Sequence, residues 1–239
     1  MTLTKQAMVT GGAHPLGIGI ASARALVAQG FAVTVTGISQ SEIEQTPKEA
    51  GITPAILDVT DNDAVERLIG GFERLDALIN CAGTALPERE FTNDGFMHTI
   101  NVNLNGTMRC CIAARPLLEK SGGAIINIAS MYASFGSGGV PAYSASKGGI
   151  VQLTKSLAVA WGAHGIRVNA IAPGWIKTGM ARSMWENPQL ADSIALRTPM
   201  QRWGEPEECG DVIAFLCSHA ARFVTGQVLA VDGGYLASG

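Results

Sequence analysis

The sequence predicts an α/β chain of βαβ units around a parallel sheet. Strand-like and helix-like stretches alternate from one end to the other, and no internal repeat or low-complexity linker interrupts them. The first strand runs into a glycine-rich turn, Thr10-Gly-Gly-Ala-His-Pro-Leu-Gly-Ile-Gly19, that opens a helix. A chain of 239 residues with 47% apolar content is large enough for one sizeable core and fits a single domain over residues 1–239.

Seven strands are expected, at residues 7–10, 32–36, 52–57, 77–80, 124–129, 167–171 and 227–231. Helical stretches fall between them at 17–29, 41–50, 61–72, 94–119, 142–163 and 206–217. In the first crossover, glycines let the backbone approach a pyrophosphate, and the free N–H groups of the following helix favour its charge. A tight turn without ligand is the alternative. At the end of the third strand Asp58 is placed to accept a hydrogen bond from an adenine amino group, or to cap the next helix, a task that suits Thr60 and Asp61 better. Asn80-Cys-Ala-Gly83 ends the fourth strand with small residues that would let the backbone lie beside a ribose, or form a plain turn. Asn101, Asn103 and Asn105 interrupt an apolar helical segment. A buried amide there needs partners, which a kink or an ordered water would supply, and Asn103 is the one singled out. An exposed polar face is the competing reading.

The apolar strand at 124–129 delivers Ser130 to its C-terminal end, where open α/β sheets bind ligands. Tyr143 and Lys147 stand four apart, so on a helix they share one face. A free phenol has a pKa of about 10, and a neighbouring ammonium brings its proton transfer closer to neutral pH. The pair therefore reads as a proton donor, with Ser130 holding the reacting oxygen, unless it is a surface pair. Beyond the sixth strand, Pro173-Gly-Trp-Ile-Lys-Thr178 makes a turn, and residues 179–199 follow as an irregular region with Met180, Met184 and Trp185. That region suits a mobile lid over an apolar substrate pocket, or core packing.

Net charge is −3, and no Lys/Arg cluster offers a footprint for nucleic acid or an anionic membrane, which favours small-molecule partners. The amino terminus enters a strand without the apolar region of a secretory signal, and no run is long enough to span a bilayer. Five cysteines without metal-ligand spacing and four scattered histidines point to a cytoplasmic protein with no metal.

The glycine turn, Asp58-Val59, Asn80-Cys-Ala-Gly83, Asn103, Ser130, Tyr143-x-x-x-Lys147, Pro173-Gly174 and Asp232-Gly-Gly234 occur in one order, and in it the chain resembles the short-chain dehydrogenases/reductases over its full length. The resemblance implies a single Rossmann-type doubly wound domain, with a seven-stranded parallel sheet and helices on both faces. It implies reversible hydride transfer between a nicotinamide cofactor and a secondary alcohol or ketone, as in carbonyl reductases, alcohol or polyol dehydrogenases and 3-oxoacyl thioester reductases. Asn103, Ser130, Tyr143 and Lys147 would form the catalytic tetrad, with Asn103 supporting a proton relay. Cofactor contacts would come from Gly11, Gly17, Ile18, Gly19, Gly37, Ser39, Asp58, Val59, Asn80, Ala82, Gly83, Pro173, Gly174, Ile176 and Thr178, together with Tyr143 and Lys147. A non-catalytic dinucleotide sensor is the reading from a different class.

Five residues separate Gly11 from Gly17 where the family has three, a spacing like that of the enoyl-thioester reductase branch. Tyr143 and Lys147 keep the ordinary three where that branch has six, which favours carbonyl and alcohol chemistry. Gly37 stands where NAD-preferring members have Asp, and Ile38 where NADP binders often have Arg. Ser39, Gln40 and Ser41 could donate to a 2′-phosphate, so the reading leans toward NADP(H), with NAD(H) as the alternative. Ile150, Leu153, Leu157 and Trp161, together with the apolar tail at 228–236, exceed what one sheet contact needs. With the resemblance they imply a homotetramer, or failing that a dimer.

Overall fold

The computed structural model describes residues 4–238. Strands β1 (Lys5–Thr10), β2 (Phe31–Gly37), β3 (Ile52–Ile56), β4 (Ala77–Asn80), β5 (Ala124–Ile128), β6 (Arg167–Pro173) and β7 (Val228–Val231) pair in parallel as one sheet. Their order is β3-β2-β1-β4-β5-β6-β7. Every residue of β4 and β5 is buried, as their unbroken apolar runs require of strands covered on both faces. The strand order reverses between β1 and β4, and the crevice at their C-terminal ends is where such a sheet takes a ligand.

The helices are α1 (Ile18–Ala28), α2 (Gln40–Glu44), α3 (Asn62–Gly70), α4 (Asn93–Ile100), α5 (Gly106–Ser121), α6 (Pro141–Trp161), α7 (Arg182–Trp185), α8 (Pro188–Arg197) and α9 (Pro206–Cys217). On one face Leu26 of α1 and Ile213 and Leu216 of α9 pack with Val9, Ile79 and Ile126 of the sheet. On the other, Val65 and Ile69 of α3, Leu118 of α5 and Leu157 and Trp161 of α6 pack with Met8, Leu78 and Ile125. Glycine sets the spacing of α1 and α9, because a Cβ on Gly210 would lie 2.8 Å from the Ala21 carbonyl oxygen.

All seven expected strands are present, and the departures from expectation have local causes. Helix α2 stops at Glu44 instead of reaching residue 50, since Pro47 cannot continue a helix and restrains Thr46 before it. The single helix expected at 94–119 is divided by a π-helical turn, Asn101–Asn105, at the three asparagines. Residues 179–199, expected to be irregular, form a 3-10 turn, α7 and α8. The signal for α8 was Asn187-Pro188: Asn187 Oδ1 accepts from Gln189 N and Leu190 N, and Pro188 occupies the first turn. The apolar residues expected to be uncovered on α6 are also corrected, because Ile150, Leu157 and Trp161 are buried within the chain and Leu153 is partly buried against the same core.

Candidate active site

The glycine turn packs backbone against backbone. Gly11 has φ +63°, and a Cβ there would lie 2.6 Å from Ala82 Cα, while one on Gly19 would lie 2.6 Å from Gly12 Cα. Thr10 Oγ1 accepts from the N–H groups of Cys81 and Ala82 at 3.1 Å each, which ties the ends of β1 and β4 together at the crevice. Helix α1 begins at Gly17 with no side-chain cap, so its first N–H groups are left for solvent or an anion. This cradle fits the pyrophosphate of a dinucleotide. The lengthened loop also reaches across to the segment after β6: Gly179 N donates to Leu16 O at 2.8 Å, and a Cβ on Gly179 would run into the His14 imidazole.

The four residues expected to react converge at the ends of β5 and α6. Ser130 is buried just beyond β5, where its Oγ accepts from Tyr132 N at 3.2 Å, and the nearby hydroxyl pulls the Tyr143 phenol toward the phenolate. Burial is the stronger influence and pushes the phenol up to about 12, with Cys81, Tyr132 and Glu90 adding to the rise. Lys147 is 5% exposed, and burial pushes its ammonium down to about 8, against a smaller upward pull from Cys81. Its Nζ donates to Ile128 O at 2.6 Å and lies 5.3 Å from the centroid of the Tyr143 ring. The ammonium therefore faces the phenol's ring from a carbonyl anchor, and is not hydrogen-bonded to its oxygen.

Asn103 is 1% exposed and completes the cluster. A Cβ on Gly83 would lie 3.4 Å from Asn103 Oδ1 and 3.7 Å from Lys147 Nζ, so both groups converge on that glycine. The asparagine side chain holds a framework: Oδ1 accepts from Thr84 N at 2.8 Å, while Nδ2 donates to Thr84 O at 2.9 Å and to Ser146 Oγ at 3.0 Å. Ser146 Oγ in turn donates to Tyr143 O at 2.7 Å. Both amide protons are thus committed to structure, and the π turn that places Asn103 leaves its backbone carbonyl to Thr107 Oγ1.

Several expected cofactor residues are occupied elsewhere. Asn80 turns its amide into the sheet, where Nδ2 donates to Asn127 Oδ1 and Cys111 Sγ, so only its backbone borders the crevice. Val59 packs in the core under α5, where a Cβ on Gly106 would meet Val59 Cγ2 at 2.6 Å. Asp58 Oδ1 accepts from both Thr60 N and Thr60 Oγ1 at 2.8 Å, and Asp61 caps α3. Gly174 is required by packing, since its Cβ would lie 2.6 Å from Asp232 Cβ. Ile176 is buried and bridges Gly204, and Thr178 O accepts from Trp185 Nε1 at 2.9 Å, tethering α7 to the end of β6. Gly37, Ser39 and Ile18 remain at the crevice edge, with Ser39 capping α2.

Two carboxylates escaped the sequence reading. Glu42 Oε2 accepts from Ile38 N at 2.8 Å and lies 2.9 Å from where a Gly37 Cβ would stand, so a negative charge occupies the end of β2 although residue 37 carries none. The pattern Ser39-x-x-Glu42 was the available signal, as a capping box. Glu90 is 2% exposed in the loop after β4. Its Oε1 accepts from Leu86 N and Thr99 Oγ1, and its Oε2 accepts from Tyr143 N at 2.9 Å. Helix α6 has no cap of its own from Val140, so this distant carboxylate serves its first turn and fixes the residue that carries the phenol. Glu90 was invisible in sequence because its partners lie as far as 53 residues away.

Comparisons with known proteins agree with this geometry. A family model described as enoyl-(acyl carrier protein) reductase matches residues 11–236. The 2-dehydro-3-deoxy-D-gluconate 5-dehydrogenase of Bacillus subtilis (strain 168) is 38% identical over 240 residues, which cover 97% of this chain and 94% of that protein. The cis-4-hydroxycyclohexanecarboxylate dehydrogenase of Sinomonas cyclohexanicum is 37% identical over 243 residues, covering 97% and 96%. Among solved structures, a gluconate 5-dehydrogenase from Burkholderia cenocepacia J2315 in complex with NADP and tartrate superposes with a TM-score of 0.88 at 30% identity, covering 98% of this chain and 95% of that one.

Glu90→Gln replaces one acceptor oxygen by a donor amide that faces N–H or O–H groups. The expected result is a fall in kcat of about tenfold with the KM for the nicotinamide cofactor unchanged, because the phenol is displaced while the glycine turn is not. Steady-state kinetics check this, and equal losses in both parameters would show a general loosening instead.

Proposed function

The chain belongs to the short-chain dehydrogenase/reductase family, and we propose that Tyr143 is the proton donor and acceptor through which it acts. The protein is an NAD(P)-dependent oxidoreductase for CH–OH and C=O groups. The observation that carries the proposal is the meeting of Ser130, Tyr143 and Lys147 at one strand end, beside a glycine cradle of the right shape. When bound, a nicotinamide supplies or accepts the hydride. Ser130 orients the substrate oxygen, Tyr143 gives that oxygen a proton as a ketone becomes an alcohol, and the Lys147 charge favours the phenolate left behind. Asn103 holds the Thr84 loop and α6 in register around them. The same steps in reverse oxidise a secondary alcohol.

The substrate is a small carbonyl compound or alcohol. Sugar-acid and hydroxycyclohexanecarboxylate dehydrogenases among the relatives support an acid bearing a secondary alcohol. Enoyl reduction is the second reading, favoured by the description of the matching family model and by the lengthened glycine turn. The three-residue spacing of Tyr143 and Lys147 speaks for the carbonyl. Residues 179–199 act as the lid, a short helical segment tethered by Trp185 to Thr178 and by Trp203 Nε1 to Ala191 O. We read all of this as belonging to one domain over residues 1–239.

NADP(H) is the weakly preferred cofactor. The NADP-bound neighbour and the hydroxyls of Ser39 and Ser41 support it, while the Glu42 carboxylate opposes a 2′-phosphate and keeps NAD(H) usable. A homotetramer remains the proposed assembly, supported by exposed Phe91, Met97, Ile112 and Val159 and by Phe215 and Leu229 beside edge strand β7. Five free thiols, three of them buried, support a cytoplasmic setting. Among the described residues no helix is long and apolar enough to cross a membrane, and no cluster of side chains could hold a metal ion.

A panel of ketones and one enoyl thioester, each with NADPH and NADH, tests the function. The wild type should reduce ketones and leave the thioester, and Tyr143→Phe should lose ketone reduction by about a hundredfold or more at nearly unchanged cofactor affinity. Cofactor binding without turnover would favour a sensor. Glu42→Gln should raise the preference for NADPH over NADH by about tenfold, since it keeps an acceptor for Ile38 N and removes the charge. This variant is cleaner than Gly37→Asp, whose Cβ would lie 2.9 Å from Ala13 Cβ.

A further inference from the structure

An aromatic wall leads away from the reacting phenol. The Tyr132 ring meets Tyr143 edge-on at 6.3 Å, Trp175 at 6.2 Å and Phe135 at 5.5 Å. Phe135 lies 6.1 Å from Tyr235, and the Arg197 guanidinium stands 4.7 Å over the Tyr235 ring. The wall thus joins the end of β5, the turn after β6, the C-terminal segment and the last turn of lid helix α8. Trp175 Nε1 is buried on that wall and has no hydrogen-bond partner.

The charges of this region are not equivalent. Lys177 is paired with Glu205 at 2.6 Å, Arg182 with Glu186 at 2.9 Å and Arg202 with Glu208 at 2.6 Å. Among the described residues, Arg197 alone of these four cations enters no ion pair and donates no hydrogen bond. Its guanidinium is held flat on an aromatic ring, which fixes its position while leaving its N–H donors free to grip a carboxylate in a bidentate fashion.

We propose that Arg197 is the anchor for a carboxylate on the substrate, and that the apolar body of the substrate lies along the wall formed by Tyr132, Phe135, Trp175 and Tyr235. The class this fits is an oxo or hydroxy acid whose reacting carbon is separated from its carboxylate by a hydrocarbon chain long enough to follow these rings. Charge selects the acid end, the wall excludes water from the body, and Ser130 and Tyr143 meet the other end. Arg197 rides on α8, so the anchor engages from the lid. This inference rests on the carbonyl-reducing activity proposed above and goes beyond it in naming the group that binds the acid.

The test compares 12-oxotridecanoate with its methyl ester, which differ at the end facing Arg197, in the wild type, Arg197→Ala and Arg197→Lys. The expected wild-type kcat/KM favours the acid by at least tenfold, mainly through KM. Arg197→Ala should bring that ratio to about one, and Arg197→Lys should restore part of it. A wild type that treats the two ketones alike overturns the proposal, as does an Arg197→Ala variant that loses both activities in equal proportion, which would leave Arg197 a brace for the end of α8. Tyr143-dependent reduction of other ketones, with neither the acid nor its ester accepted, would overturn the anchor alone. Absence of reduction with every ketone and both cofactors would overturn the activity as well.

Discussion

The site depends on a buried ammonium held by one carbonyl. Lys147 has nearly lost contact with solvent, and its hydrogen bond to Ile128 O joins the last residue of β5 to the first turns of α6. An ammonium in that position disfavours its own charge, and burial disfavours the charge of Tyr143 as well. Each group is costly to ionise alone. A phenolate formed beside the ammonium would relieve both costs, which is the basis for the proposed proton transfer from Tyr143. Much of the surrounding polar architecture keeps this arrangement in register. Glu90 holds the start of α6, Asn103 ties the Thr84 loop to Ser146, and Ser146 closes on Tyr143.

The sheet was legible because parallel strands buried on both faces must be written as apolar runs, and those at 77–80 and 124–129 are unmistakable. Ser130, Tyr143 and Lys147 were legible because a strand end and a helical spacing of four place them without tertiary knowledge. Glu90 and Arg197 were not. Glu90 reads as one acid in a charged loop until folding buries it under Tyr143, and Arg197 reads as an ordinary basic residue in the last turn of a helix. The asparagines show the intermediate case. Their composition called for a kink, but only the π turn reveals that Asn103 spends both amide protons on the framework.

Cofactor choice shows how a single position misleads. Residue 37 is glycine, so the sequence offers no acid at the end of β2, yet Glu42 folds back from α2 and supplies one. Folding also moves the assembly argument to other residues, since Ile150, Leu157 and Trp161 of α6 are spent in the core, while Val159 of the same helix, Phe91, Met97, Ile112 and the β7 edge are exposed. In both cases folding brings forward a side chain away from the position a motif draws attention to.

The pH dependence of kcat/KM for ketone reduction, in the wild type and in Lys147→Met, tests the central claim most directly. In the proposed mechanism Tyr143 is the acid, its phenol pushed by burial up to about 12, while burial pushes the Lys147 ammonium down to about 8. Raising the pH through that value removes the charge that favours the nascent phenolate. The wild type should therefore be level at neutral pH and fall as pH rises through about 8, and the variant should be slow with no such fall. A wild-type profile that stays level from pH 7 to about 10, or the same fall in Lys147→Met, would contradict the account.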